Sequence, residues 1–566
     1  MSDEIGMKKE LFGVFGDREQ FERFRATEEF DVVCSTDSVT AGIRDVSLGV
    51  PGRSAAYEDE GGACLVWGEA FPDDDTVTQT GKWLLARYRE EGTDALSRVN
   101  GSHLAVIDDG GGALVATDQI QSWECFYTDD PGVRVFGTDA ARIARTIEDA
   151  GVDDRSQAEF IHFGVVFGTR TLLSELKRVP FDGYITGETE DELARFVYEP
   201  KEFDYVAELA DRLERAIRRR ARYPGTKGIL MSAGYDSRAI ISTLPELDVC
   251  YTLGTSETPE VQVAREVAAQ FGIEHQLLEV NERYLDMRPE VVQYTQGIRE
   301  SLHIHHRGNV ADLQTETMYH GLLLDSLLRG HYRPNATIEL FDLTFPLTRL
   351  DPDPDVAAFF GKKLGFFSNN EVIADCEELD ARTTEEFVEQ MVRPEYEKGV
   401  HRADSTYNAI STLGMKLTPP MPFRVHLADN HVESFIACDA ELIDWHLSTP
   451  PKYRTDETYL RAIQRIDGDI LEHRPPDRPH DSYQLNQIEG FVRRQLPGVD
   501  PFGTPWPDRD VIYDQLELDR TLFPGYEEIH ALEPRIKLRI ADIIRWLHLA
   551  TGDETRTPDQ TICPQV

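Results

Sequence analysis

Eleven residues, Gly228-Ile229-Leu230-Met231-Ser232-Ala233-Gly234-Tyr235-Asp236-Ser237-Arg238, constrain the fold more than any other stretch. Ile229 to Met231 is a short apolar run of the kind that forms a buried strand. It breaks into Ser-Ala-Gly and resumes as Arg238-Ala239-Ile240-Ile241, the start of a helix. A strand that feeds a helix through small residues makes an anion site. Free amides and the positive end of the helix dipole point into the turn, and small side chains let a phosphate approach. Ser232 and Ser237 add hydroxyl donors. Asp236 would repel a phosphate unless a divalent cation joined the two, since hard cations take carboxylate and phosphate oxygens together. No Gly-Lys-Ser/Thr follows, so this is not a Walker loop.

The next fifty residues set the sheet type. A strand is expected at Val249 to Leu253, a helix entered at Thr258-Pro259, and a strand at His275 to Val280. Thr258 suits an N-cap and Pro259 the first turn. Val263, Val267 and Phe271 form one face, and Gly272 ends the helix. Strand, helix, strand at this spacing predicts a parallel α/β sheet with right-handed crossovers. Ligands of such sheets sit at the C-terminal ends of the strands, where the Ser232 turn and Leu253-Gly254-Thr255 both fall. A helix with Tyr205, Val206, Leu209, Leu213 and Ile217 on one face precedes the sheet.

The chain has 566 residues, too many for one core, and 40% of them are hydrophobic. Two domains are expected, residues 1–190 and 204–550, with a polar, acidic boundary and a loose tail at 551–566. Lys and Arg number 59 and Asp and Glu 102, a net charge of −43 that argues against a nucleic-acid partner. The acid is dispersed, and Lys is scarce beside Arg. Such a surface keeps a protein soluble in concentrated salt, so a halophilic cytoplasm is expected. The 7 cysteines form no C-x-x-C pair, which excludes a disulfide framework or zinc-site spacing. The N-terminus lacks an apolar signal core, and no run of 18 apolar residues appears, so no membrane partner is expected.

The first 190 residues read as short β segments. Leu11 to Gly16 and Ala63 to Glu69 are strands, Gly81 to Tyr88 is an amphipathic helix, and His103–Ile107 with Ala113–Asp118 form a hairpin about Gly110-Gly111-Gly112. Cys125-Phe126-Tyr127 and Val133 to Phe136 continue the style.

These motifs carry a resemblance. Ser232-Ala233-Gly234-Tyr235-Asp236-Ser237 resembles the S-G-G-x-D-S loop of the ATP pyrophosphatases, with Ala233 for the first Gly, and its flanks resemble asparagine synthetase. The β-rich first part is similar to that family's N-terminal glutaminase domain, an αββα Ntn-hydrolase-like fold. The family's C-G-I-F-G opening resembles Phe12-Gly13-Val14-Phe15-Gly16, its N-G-E resembles Trp67-Gly68-Glu69, and its R-D to P-L-Y-Y run resembles Thr117-Asp118 through Phe126-Tyr127. The family's nucleophile is an N-terminal cysteine whose α-amine acts as base. Phe12 stands there, with eleven residues ahead of it. Trp67 replaces the oxyanion-stabilising Asn, a kind of donor worth roughly 3 kcal/mol of barrier. The resemblance with these departures implies a retained module without glutaminase activity. Residues 160–183 are similar to the family's domain connector.

Gly321-Leu322-Leu323-Leu324-Asp325-Ser326-Leu327-Leu328-Arg329-Gly330-His331-Tyr332 resembles the family's G-x-G-x-D-E-x-x-G-G-Y pyrophosphate segment. Gly321, Asp325 and Gly330 match; Leu323 and Ser326 replace a Gly and the Glu. The apolar run also suits a buried helix. His303, His305 and His306 match no familiar zinc spacing and are expected to be solvated or hydrogen-bonded, in a segment that by position faces the acceptor. After Tyr332 a largely helical chain is expected. Asp439 to Trp445, on through Thr449-Pro450-Pro451, and Tyr459-Leu460-Arg461-Ala462 resemble C-terminal motifs of the family. Its catalytic lysine of R-x-K falls at Arg474-Pro475-Pro476, where Arg474 or Arg478 would supply the cation. Ile536, Ile540, Ile543, Ile544 and Leu547 stripe the last long helix.

The expected fold class is therefore α/β: an Ntn-hydrolase-like domain, then a parallel-sheet adenine-nucleotide α-hydrolase-like synthetase domain with a helical C-terminal part. The resemblance implies ATP and Mg2+ as cofactors. Met231, Ser232, Gly234, Asp236, Ser237, Leu253 and Gly321 would contact nucleotide, and Leu253 would line the adenine pocket. Asp236 and Asp325 would hold metal, and Asp236, Asp325 and Arg474 would be catalytic. The partners are a small-molecule carboxylate and an amine, and a homodimer is one assembly open to the chain. The activity implied is an AMP-forming carbon–nitrogen ligase. A nucleotide-binding regulator, and a cyclising enzyme like the β-lactam synthetases, are alternatives.

Overall fold

The computed structural model describes residues 6–130, 132–340, 343–364, 384–418, 421–480, 482–495, 507–555 and 557–558. Alternation along the first strands decides how the N-terminal part is layered. In Glu10–Val14, Leu11 points into a core shared by two six-stranded antiparallel sheets, while Phe12 and Val14 point out of it. One sheet runs in the order Lys177–Arg178, Phe126–Thr128, Val135–Gly137, Glu10–Val14, Thr40–Arg44, Val32–Ser35. The other runs Glu190–Glu192, Gly183–Thr186, Ala113–Thr117, His103–Asp108, Gly62–Gly68, Ala55–Asp59. Leu11, Ala41 and Ile43 of the first meet Leu65, Trp67, Leu104, Val106 and Ile185 of the second. On the outer faces, Phe12 and Val14 lie among Ile143, Ala158 and Ile161, and Cys64, Val66 and Ile107 lie among Leu84 and Leu85 of the Thr80–Glu91 helix. The layers are thus helix, sheet, sheet, helix. The hairpin about Gly110 pairs as expected, Leu104 opposite Thr117 and Asp108 opposite Ala113.

The second part is built on five strands, all parallel, in the order Glu274–Glu279, Val249–Gly254, Lys227–Leu230, Thr317–Tyr319, Val432–Ser434. The chain moves outward from Lys227–Leu230 to one side, then returns to lay Thr317–Tyr319 on the other. The gap between the C-terminal ends of these two strands is a topological switch point, the crevice where open α/β sheets bind ligands. Gly228 is required in the central strand, where an added Cβ would meet Thr315 Oγ1 at 2.5 Å and a Tyr251 ring carbon at 2.8 Å.

Several expectations are corrected. Asn335–Leu340 and Leu343–Leu350 form an antiparallel hairpin where helix was expected, because β-branched and aromatic residues (Thr337, Ile338, Thr344, Phe345) fall in two short facing runs. The short strands Thr317–Tyr319 and Val432–Ser434 complete the sheet without any alternation long enough to read. Thr258 sits at the N-cap of Pro259–Gln270, but its hydroxyl turns back to donate to Thr255 O (2.9 Å) instead of capping the helix. Of the two roles expected for the histidines, solvated or hydrogen-bonded, the structure shows the second. His306 is buried and its Nε2 lies 3.0 Å from His426 Nδ1, and His303 pairs with Glu300 at 3.3 Å. Glu300 is claimed further by Arg535 and Arg539 of the last helix.

That helix, Pro534–Thr551, buries the expected isoleucine stripe. Its stripe packs against helices Ala140–Ala144 and Asp154–Phe163 of the N-terminal part, so one apolar core contains residues from both sides of the acidic boundary. Buried charge also crosses it. Arg220 Nε donates to Glu69 Oε1 (2.8 Å) and its Nη1 to Asp439 Oδ2 (2.7 Å). Cys34, Cys64, Cys125, Cys250 and Cys438 are free and buried; Cys376 and Cys563, like most of the expected tail, lie outside the described residues. Among the described residues no helix is long and apolar enough to cross a membrane.

Candidate functional site

The crevice is formed by two loops. The first leaves Lys227–Leu230 at Met231 and enters the Tyr235–Thr243 helix with Gly234 as its N-cap. No side chain caps that helix, so its first amides are left for another acceptor. The second loop leaves Thr317–Tyr319 and reaches the short Leu324–Leu328 helix. They touch directly: a Cβ added at Gly321 would lie 2.8 Å from Asp236 Cβ and 3.4 Å from Ser237 N. Asp325 is close enough to raise the Asp236 carboxyl by its charge. The two aspartates named from sequence therefore share one site.

The expectation of a turn full of free amides is corrected in part. Ala233 N donates to Glu260 Oε1 (2.6 Å), and Gly234 N to Ser232 Oγ (3.1 Å). Ala233 is fully buried, so its amide needs a partner, and Glu260, in the first turn of Pro259–Gln270, is placed to serve. Burial pushes the Glu260 carboxyl up, against the pull of that amide. Ser237 Oγ donates back to Ser232 O (3.3 Å), while Ser232 itself is exposed. Met231 is buried in the apolar core, its amide donating to Tyr251 O (2.8 Å). Its side chain packs in that core. Leu253 is half-buried at the end of the neighbouring strand.

Leu323 carries the imprint of the resembled segment. It stands where that segment has glycine and keeps a left-handed backbone, φ +69°, with its side chain buried. For a residue with a Cβ this costs about 1–2 kcal/mol, offset here by core packing. Ser326 is buried, its amide donating to Asp325 Oδ1 (2.6 Å).

The charges are arranged around Arg329, which sequence reasoning missed. It also falls on a glycine of the resembled segment, the signal that marks it. Its Nη1 lies 3.0 and 2.9 Å from the two Asp236 oxygens, and its Nε donates to Asp456 Oδ1 (2.7 Å). Its guanidinium lies over the Tyr235 ring (5.5 Å) and the Tyr459 ring (5.6 Å). Burial raises the Asp236 carboxyl, and Arg329 pulls it down. Burial opposes ionisation of Asp325 too, but the hydrogen bond and charge of His331, 3.2 Å away, hold it well below the usual carboxylate range. Arg474 and Arg478 both act on Tyr235, so the segment of the expected cation does reach the site. Beneath the loop, Arg238 is fully buried, and among the described residues its hydrogen bonds go only to carbonyls, of Ala233 (2.8 Å), Gly234 (3.2 Å), Ile470 and His473. Burial lowers it to about 10.

Magnesium at Asp236 and Asp325 does not fit this arrangement. Both Asp236 oxygens face a guanidinium, and those of Asp325 face His331 and the Ser326 amide.

The comparisons bear on the first loop. Residues 208–303 match the asparagine synthase family model. The match spans Met231 to Ser237 and Leu253, and ends before Gly321, Asp325 and Arg474. No curated protein matches the chain. Among solved structures, glutamine phosphoribosylpyrophosphate amidotransferase from B. subtilis, complexed with ADP and GMP, is 10% identical over 64% of this chain and 84% of its own, with a TM-score of 0.22. A structure titled as the allosteric regulatory enzyme of purine biosynthesis is 12% identical over 64% and 83%, with a TM-score of 0.21. Both likenesses are too slight to show a shared fold.

In the N-terminal part, Phe12 is buried against Phe21 and Phe30, with ring centroids 5.5 and 6.3 Å away. Trp67 is buried edge-to-face on Trp123, with Lys9 Nζ 5.1 Å from its ring. The cavity beside Trp67 and Lys9 is ≈ 20 Å³, room for about one water.

Proposed function

We propose that this chain is an ATP-dependent amide-bond ligase that adenylates a carboxylate at the switch-point crevice. The observation that carries the reading is the contact of Gly321 with Asp236, which closes the family-matched loop against the loop bearing Asp325. The uncapped helix N-terminus at Gly234 and the Ser232 hydroxyl would bind phosphate, and the buried charge of Arg238 would favour an anion above it. A carboxylate oxygen would attack the α-phosphorus, releasing pyrophosphate. An amine would then open the acyl-adenylate and release AMP. Arg474, beside Tyr235, would stabilise charge at the reacting end. Phe12, Trp67 and the one-water cavity support a first domain without glutaminase activity, so the nitrogen would come from free ammonia or a substrate amine. The substrates would be small molecules met in a salt-rich cytoplasm.

The test is carboxylate-dependent ATP–pyrophosphate exchange across a panel of acids, aspartate included. Exchange with one acid is expected; none with any acid refutes the ligase. A second reading, a nucleotide-binding regulator, is favoured by the Arg329 clasp on Asp236 and by Ser326, and predicts ATP binding without exchange.

A further inference from the structure

The mismatch between the site and magnesium has a positive counterpart. We propose that the Arg329 guanidinium supplies the positive charge a divalent cation was expected to bring, so that the nucleotide phosphates bind without metal. The inference rests on the nucleotide-binding reading of the same crevice.

Arg329 is built in rather than draped over the surface. Its side chain is 9% exposed, fixed by Asp456 at Nε and by Asp236 at Nη1, and lies over the rings of Tyr235 and Tyr459. These bonds use Nε and Nη1 and leave Nη2 uncommitted among the described residues. A guanidinium so held stays charged at every working pH and presents planar donors that match phosphate geometry. It lies between the two loops, because Asp236 belongs to the first and Arg329 follows the Leu324–Leu328 helix of the second. Asp236 then acts as the counter-ion that positions Arg329, not as a ligand. Arg238 gives independent support: a second, fully buried guanidinium behind the loop has, among the described residues, only carbonyls as hydrogen-bond partners, so the crevice already has a cationic floor.

The test is ATP binding to the full-length protein by titration calorimetry, with EDTA or with excess MgCl2. The native protein is expected to bind with dissociation constants within about twofold of each other in the two buffers. Arg329→Gly is expected to weaken binding in EDTA at least about tenfold and to regain much of it on adding magnesium, because Asp236 is released. Arg329→Lys, which keeps the charge on a similar stem, is expected to stay metal-independent with a smaller loss. Native binding that needs magnesium, by tenfold or more, overturns the inference while leaving the nucleotide reading intact. No ATP binding in either buffer overturns the nucleotide reading itself.

Discussion

Gly321→Ala tests whether the two loops must touch for the site to work. Gly321 has an ordinary negative φ, so the backbone accepts alanine, and the effect is purely steric. The new Cβ would lie 2.8 Å from Asp236 Cβ, whereas carbons pack at about 3.5–4.0 Å, so the loops must part by about 0.7–1.2 Å. Overpacking of this kind costs about 1–3 kcal/mol, which a domain of this size survives. Displacing reacting groups by about 1 Å costs on the order of a hundredfold in rate. The signature is therefore lopsided: ATP–pyrophosphate exchange falls about a hundredfold, while denaturant unfolding shows a loss of only about 1–3 kcal/mol and a protein that is still folded. Gly468→Ala is the control, because nothing lies within 4 Å of its added Cβ, and both measurements should stay at the native values. A Gly321→Ala protein that exchanges at the native rate refutes the claim that this contact sets the site.

Arg220→Met leaves Glu69 and Asp439 buried without their shared cation, and should lower stability by about 3–5 kcal/mol in urea unfolding. Burial pushes Asp542 up to about 7. A carboxyl raised in the folded state binds its proton more tightly there, so stability falls as pH rises from about 4 to 7. Asp542→Asn keeps the Ser301 amide bonded and should raise Tm at pH 8, by a few kcal/mol of stability, with little change at pH 4; an equal shift at both would refute the assignment. Leu323→Gly relieves about 1–2 kcal/mol of backbone strain but removes a buried side chain worth about 2–5 kcal/mol. A net loss of about 0–4 kcal/mol by calorimetry, centred near 2, is the expected balance.

Local chemistry in the chain was enough to locate the strand–turn–helix at Ser232, the parallel crossover to Glu274–Glu279, the Gly110 hairpin and the isoleucine stripe of the last helix. Each is written in side-chain period, in glycine and proline placement, or in small residues at a helix start, all properties of neighbours along the chain. Three-residue strands such as Thr317–Tyr319 and Val432–Ser434 are too short to show a period, and only partners a hundred residues away make them strands. The partners of the site's charges were likewise out of reach. That Asp236 meets Arg329, that Glu260 takes the Ala233 amide, and that His306 is buried against His426 are consequences of packing distant segments together. The residue types allow many pairings, and it is folding that brings one set within a few ångströms and removes the water that would otherwise serve all of them.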